Sequence, residues 1–379
     1  MAMSAYRGRR NKAHGGAADG AAASAPGDPA RVRRDTAETS SGKSPEDRGR
    51  GSRIPFRNVV FVMVGVAVVV VAFVSSYSIA IGKPSARHLP VAVMAPPAVL
   101  GKLGASPLFK VDPVPNLARA RAMVEDRSAY GALVLPRSGA GTLLVANGGG
   151  HAVETILVQL GQQVARSGRT TLRTVDVAPT SPNDPNGTVE FYCVAFLMLG
   201  SAIGATILGR VMGPVHGVRG PRGAPARFGL MAVYAAWLSV VVTFFADVVL
   251  GDLVGHFGLL FLTLWLYSAA VSLAITGLSA LIGLGAIVLV LVLICLGNPS
   301  SGGPVPRPLL NGFYSGLNPV MPQGAALSAL RAVQYFGGWG AGEGLACLAI
   351  WAAAGVVLLG AAALGSPGAR ARSEAGGGG

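Results

Sequence analysis

The chain has 379 residues, of which 51% are apolar and only 13% charged, and its mean hydropathy is +0.52. An ordinary soluble enzyme of this length does not carry so little charge, so that class is excluded and a membrane-embedded protein is expected. The formal net charge of +14 is concentrated in the first 57 positions and in the short loop before Phe228. That distribution is a membrane-topology signal before it is a nucleic-acid signal, and no nucleic-acid partner is expected.

Residues 1–55 are rich in Arg, Gly, Ala and Ser with almost no large apolar side chain, and are expected to form a disordered, basic cytoplasmic tail. Its arginines suit anionic lipid headgroups, each contributing on the order of 1 kcal/mol. Gly42, Lys43 and Ser44 resemble the end of a phosphate-cradling loop, but Ala37 stands where the first glycine is needed. No catalytic constellation, metal site or cofactor site is expected, and any ATP-driven step would come from a separate subunit. The three cysteines, Cys193, Cys295 and Cys347, fall inside apolar runs and read as small hydrophobes.

A first transmembrane helix is expected over 56–81. The long leader before it and the length of its apolar core distinguish it from a cleaved secretory signal, so it reads as an uncleaved anchor. Residues 82–188 then form a small α+β extracytoplasmic domain inserted between the first and second transmembrane helices. Within it the pattern predicts strands at 90–94, 130–135, 142–146 and 171–177, with helices at 114–127 and 152–165. That order suggests a split, ferredoxin-like layer. Residues 181–187 are a turn-rich tether.

Five further apolar runs, at 189–209, 228–250, 253–275, 278–297 and 344–364, give a bundle over 189–365. The stretch 253–297 is about twice the length one crossing needs, and a turn is expected near Thr276 to Ser279. The fold class is therefore a polytopic α-helical membrane protein of about six transmembrane helices. A Pro/Gly-rich outer segment is expected at 298–342, and a disordered cytoplasmic tail at 366–379. The positive-inside rule, applied to Arg50, Arg53 and Arg57, to Arg210, Arg219, Arg222 and Arg227, and to Arg370 and Arg372, places both termini in the cytoplasm. The high Gly, Ala, Val and Arg usage fits a bacterium, with the chain in its cell membrane.

Ionisable residues at membrane depth are costly and face cavities or partners. Glu190, Asp247, Asp252, His256 and Glu343 lie near predicted outer boundaries, where they cap helices or contact a transported species. Asp247, flanked by Phe244, Phe245, Val248, Val249 and Leu250, is the foremost candidate for a proton or cation contact. Arg331 either snorkels to the interface or pairs with the outer domain. Pro319 and Pro322 break any helix, so their segment is outside lipid or buried in protein. Gly200 and Gly204 have a spacing that packs helices in lipid and lends weak support to a homodimer. His88, His151 and Glu154 read as ordinary surface residues.

Two segments carry a resemblance. The Tyr130-Gly131-Ala132-Leu133-Val134-Leu135-Pro136 strand with the Asn147 turn is one. The other is Gly312-Phe313-Tyr314-Ser315-Gly316-Leu317-Asn318-Pro319-Val320-Met321-Pro322-Gln323-Gly324, followed by Leu330, Arg331, Tyr335 and Phe336. With the lone first span, they make the chain resemble the ABC type 2 permeases, especially the YhgE/Pip-like branch. The resemblance implies a permease subunit of an exporter for a hydrophobic or amphipathic substrate, dimeric, served by a separate ATP-binding subunit. The chain departs from the pattern at 213–223, a Gly/Pro-rich loop that makes a poor coupling helix. An envelope receptor or scaffold without transport, or an ion-driven efflux protein using Asp247, are the alternatives.

Overall fold

A computed structural model describes residues 56–82, 88–137, 140–168, 170–213, 223–253 and 255–364. Both tails, the partial phosphate-loop sequence at 42–44 and most of the 213–223 loop lie outside the described residues.

Helix α1 spans Phe56–Ile81, and after it the chain builds a mixed sheet. Strand β1 (Leu89–Met94) is followed by α2 (Pro97–Gly104), β2 (Phe109–Pro113), α3 (Leu117–Glu125), β3 (Gly131–Val134), β4 (Gly141–Val145), α4 (His151–Gly168) and β5 (Leu172–Asp176). The strand order is β2-β1-β3-β4-β5, with β3–β4 antiparallel and the other pairs parallel. Alternation along the strands sorts two cores. Leu89, Val91, Val93, Leu133, Leu143 and Val145 pack with Val153 and Leu157 of α4. Ala92, Ala132, Val134 and Leu144 face Ala120 and Val124 of α3.

The expected ferredoxin-like layer is corrected here. An unanticipated helix and strand, α2 and β2, extend one edge, and the remaining strands lie in chain order instead of interleaving. The missed strand contains Lys110, Asp112 and Pro113, and such residues suit an edge.

The bundle comprises α5 (Val189–Val211), α6 (Ala224–Phe244), α7 (Phe257–Ile282), α8 (Ile287–Val292), α9 (Asn298–Ser300), α10 (Gly312–Leu317), α11 (Pro322–Tyr335) and α12 (Ala341–Leu364). Among the described residues five helices are long and apolar enough to cross a membrane: Phe56–Ile81, Val189–Val211, Ala224–Val249, Phe257–Ser300 and Ala341–Leu364. The protein is thus a polytopic helical membrane protein. The fourth of these runs 44 residues with an interruption inside it, so the two crossings expected over 253–297 belong to one interrupted helix.

The interruption is not at Thr276–Ser279, which is continuous helix. Gly277 marks close packing there, since a Cβ would come within 2.4 Å of the Gly355 carbonyl oxygen of α12. Gly355 in turn lies against Leu273 and Ala274 of α7. The break comes at Gly283, whose φ of +60° is open to glycine and strained for other residues, followed by a tight turn over Gly283–Ala286. Ser279 and Gly283 share a groove with Arg210 at the end of α5, whereas Gly302, just past α9, shares Arg331 with Gly187, just before α5. The chain therefore reverses at Gly283, and 287–302 runs back along the bundle.

This returning arm contains a π turn over Leu293–Gly297, and then Pro299. A proline at 299 offers no N–H to the carbonyl of Cys295. That carbonyl accepts instead from the Ser76 hydroxyl of α1, which also meets the Tyr314 hydroxyl at 2.7 Å. The Leu293 carbonyl takes the Gln323 amide at 2.8 Å. The Gly200/Gly204 spacing serves packing within the chain: the Tyr234 ring of α6 occupies the space a Gly204 Cβ would need, and its hydroxyl donates to the Gly200 carbonyl at 2.8 Å.

Gly277→Ala and Gly355→Ala are each expected to destabilise by on the order of 1–3 kcal/mol through overpacking. Gly360→Ala, in open space on α12, is expected to leave the melting temperature in detergent unchanged. Equal melting for all three would refute the glycine contact.

Candidate functional site

A structured concavity lies where the sheet domain meets the segment between α9 and α12. It has a volume of about 340 Å³, and its walls include Arg127, Tyr130, Arg307, Asn318, Arg331 and Phe336. Each wall has a local cause.

Helix α3 starts at Asn116, whose Oδ1 accepts from the Arg119 amide at 2.8 Å. It ends when Arg127 enters the left-handed region, φ +64°, where glycine is usual. For an L-residue this conformation costs about 1–2 kcal/mol. The side chain gains a fixed position: Arg127 donates to the Ser328 carbonyl at 3.0 Å and hydroxyl at 3.2 Å, and its guanidinium sits 5.3 Å from the Phe336 ring centroid. The Asn147–Gly150 turn docks beside it. Gly148 lies against the Tyr335 ring and Gly150 against Pro306, approaches that leave no room for a Cβ.

Arg331 departs from both sequence expectations. It neither snorkels nor pairs with a carboxylate of the sheet domain. Only 6% exposed, it donates to the carbonyls of Gly302 (3.0 Å), Gly303 (3.3 Å) and Gly187 (3.3 Å). Asn318 takes the preceding carbonyls, Ser300 and Ser301, at 2.8 and 2.9 Å. Together they satisfy the acceptors left open where the returning arm ends.

Among the described residues, an ion pair joins Arg121 to Glu125, His151 Nδ1 lies 3.0 Å from a Glu154 carboxylate oxygen, and no ion pair joins Arg127, Arg307 or Arg331 to a carboxylate. Two acids do line the cavity. Asp126 accepts from the Ser128 amide at 2.9 Å in its own loop, and Glu343 is exposed in the first turn of α12. Burial pushes the Tyr130 phenol up, opposed by Arg127, Arg307 and Arg331. Burial pulls Arg127 down; Tyr130 and Glu343 oppose that and Arg331 adds to it.

The other candidates separate. Glu190, expected at a boundary, is fully buried; its Oε1 accepts from the Tyr335 hydroxyl, and its Oε2 has no hydrogen-bond partner among the described residues. Burial and then the Glu190 carboxylate push the Tyr335 phenol up. Asp247 lies in a π turn, half-buried, and lines neither this cavity nor the groove described below. Asp252 is 7% exposed, and burial, then Asp184, raise its carboxyl above the usual range. His256 is exposed at the start of α7, where its carbonyl accepts from Leu259 and Leu260. Pro319 sits in the turn before α11, beside the Val320 carbonyl that accepts from Trp351 at 2.9 Å, and Pro322 opens α11.

Arg127, Tyr130 and Arg307 were not singled out as site residues. Arg127 follows an ordinary helix-ending sequence, and nothing in its neighbours announces a left-handed arginine. Asp184, also missed, caps α5 by accepting from the Thr188 and Val189 amides, both at 2.7 Å.

A second concavity, about 290 Å³, is a groove between α5, the end of α7 and α8. Leu199, Ile203, Ile275, Leu284 and Val290 line it, with Arg210 at the rim. The two concavities lie toward opposite ends of α5.

Two outcomes test these placements. Tyr335→Phe removes the donor to a buried carboxylate and is expected to destabilise by about 1–3 kcal/mol, more than Glu190→Gln does, as read by melting in detergent. Asp252 has its folded-state pKa raised, so its native form is penalised once pH rises above the unfolded value. Asp252→Asn should accordingly raise the melting temperature at neutral pH and leave it unchanged in acid.

No family profile, curated protein or solved structure matches this chain.

Proposed function

We propose that the chain is the membrane permease subunit of an exporter of the ABC type 2 class, acting on an amphipathic substrate with an anionic end. In this reading it resides in a bacterial cell membrane with both termini cytoplasmic and the sheet domain outside. It works as a dimer, and a separate ATP-binding subunit supplies the energy.

The observation that carries the reading is the pairing of the two concavities along α5. At one end an apolar groove has Arg210 at its rim, and at the other a polar cavity gathers Arg127, Arg307 and Arg331. Such an arrangement suits a molecule with an apolar body and a charged head. It offers little to a hydrated neutral solute, because the groove is lined mainly by aliphatic side chains. The resemblance of 130–136 and 312–336 to type 2 permeases adds support. Ion-driven efflux through Asp247 draws no support from its position, since that residue lines neither concavity. The receptor alternative lacks a feature that separates it from the permease, and the ATP-binding partner is the distinguishing test.

Affinity purification of the tagged chain from its native membrane in mild detergent is expected to bring an ATP-binding subunit in comparable amount, identified by mass spectrometry. Repeated recovery of the chain without one would overturn the exporter reading.

A further inference from the structure

The junction cavity holds more positive charge than the fold uses. Arg331 is committed to three backbone carbonyls, and Arg127 places two of its five N–H donors on Ser328. Arg307 is exposed at the cavity wall, and among the described residues its side chain makes no hydrogen bond or ion pair. The Tyr130 hydroxyl likewise has no hydrogen-bond partner there, although all three guanidiniums act on it. Among the described residues no carboxylate pairs directly with Arg307 or with the remaining donors of Arg127. Here Asp126 is turned to its own loop and Glu343 stands at an exposed helix start.

We propose that this cavity binds a phosphate-bearing anion, with Arg307 and the free donors of Arg127 receiving the phosphoryl oxygens and Tyr130 and Arg331 completing the positive wall. Three guanidiniums reach it from separate segments: the end of α3, the loop before α10, and α11. Convergence from several directions suits the tetrahedral oxygens of a phosphoryl group better than the two coplanar oxygens of a carboxylate. The left-handed backbone at Arg127 fits the same assignment. Glycine would end α3 without strain, and the arginine retained there is the one that lines the cavity. A volume of about 340 Å³ admits more than a bare phosphate ion, so an ester carrying further headgroup atoms is accommodated. The assignment deepens the exporter reading by naming the charged group of its substrate, and it depends on that reading only for whether the bound phosphate is moved.

The test uses the full chain in phosphatidylcholine nanodiscs, with thermal melting followed in inorganic phosphate against chloride of equal ionic strength. A parallel sample replaces part of the lipid with phosphatidic acid. The expected result is a saturable rise in melting temperature. A rise with inorganic phosphate assigns the site to a free anion, and a rise only with phosphatidic acid assigns it to a lipid headgroup. In either arm Arg307→Ala, whose side chain makes no hydrogen bond or ion pair among the described residues, should weaken apparent affinity roughly tenfold while melting normally in chloride. Arg127→Gln should weaken it as well. No rise in either arm, or a rise that Arg307→Ala retains in full, would overturn the proposal. No nucleotide or ATP-binding subunit enters this assay, so its failure and failure of the exporter reading are separately visible.

Discussion

The Arg331 guanidinium is the contact on which the rest of the structure depends. Its three carbonyl partners belong to segments far apart in sequence: Gly187 ends the tether from the sheet domain, and Gly302 and Gly303 follow the returning arm. Satisfying acceptors at a helix end with a buried cation is an efficient use of charge, since the carbonyl ends of a helix carry partial negative charge. The arrangement also explains why no carboxylate is needed. A ring of backbone dipoles neutralises Arg331 without a second buried ion and its desolvation penalty. Because α11 is buried along most of its length, from Pro322 through Val333, the guanidinium has little room to move. The end of the tether and the end of the arm are fixed by the same group.

The returning arm shows how one residue type propagates constraints. Pro299 deprives Cys295 of its helical donor, and Ser76 of α1 fills the vacancy while also meeting Tyr314 of α10. In the π turn beside it the Leu293 carbonyl accepts from the Asn298 amide and also from Gln323 of α11. Each irregularity is thereby converted into a tertiary contact, as expected where backbone polar groups cannot turn to water. The glycines act in the complementary way. Gly277 and Gly355 bring α7 and α12 close enough for backbone to meet backbone, and packing of that kind is what associates helices where apolar burial gives no advantage over lipid.

Much of the bundle was legible from the sequence, because a run of apolar residues long enough to cross a bilayer has few other uses. The position of the turn in 257–300 was not, because Gly277 and Gly283 look alike in a sequence: one provides close contact and the other a positive φ. In the sheet domain, the alternating runs at 90–94, 130–135, 142–146 and 171–177 predicted strands where strands form. The edge strand at Phe109–Pro113 carries a lysine, an aspartate and a proline, and so hid from a hydrophobic pattern. Strand order depends on crossovers that no local pattern records. The candidate site was the least legible part. Glu343 and Arg331 were noticed for their charge near the membrane, yet the residues that make the cavity distinctive, Arg127, Tyr130 and Arg307, are brought together by α3, β3 and the loop before α10. Each is unremarked alone.

Helix α1 is held in an uneven way. Ser76 and Ala80 are buried near its end, while Phe61, Val62, Met63, Val64, Val66, Val68, Val70, Val71, Phe73 and Val74 are exposed. In mechanical terms this part of α1 is a cantilever, clamped at Ser76 and exposed along most of 61–74. A helix held at one end in this way can meet a change in hydrocarbon thickness by tilting about the clamp. The clamp is bonded both to the Cys295 carbonyl and to Tyr314, so the lever ends inside the joint between the returning arm and the segment that carries Arg331. Lipid thickness is thereby a load applied to that joint.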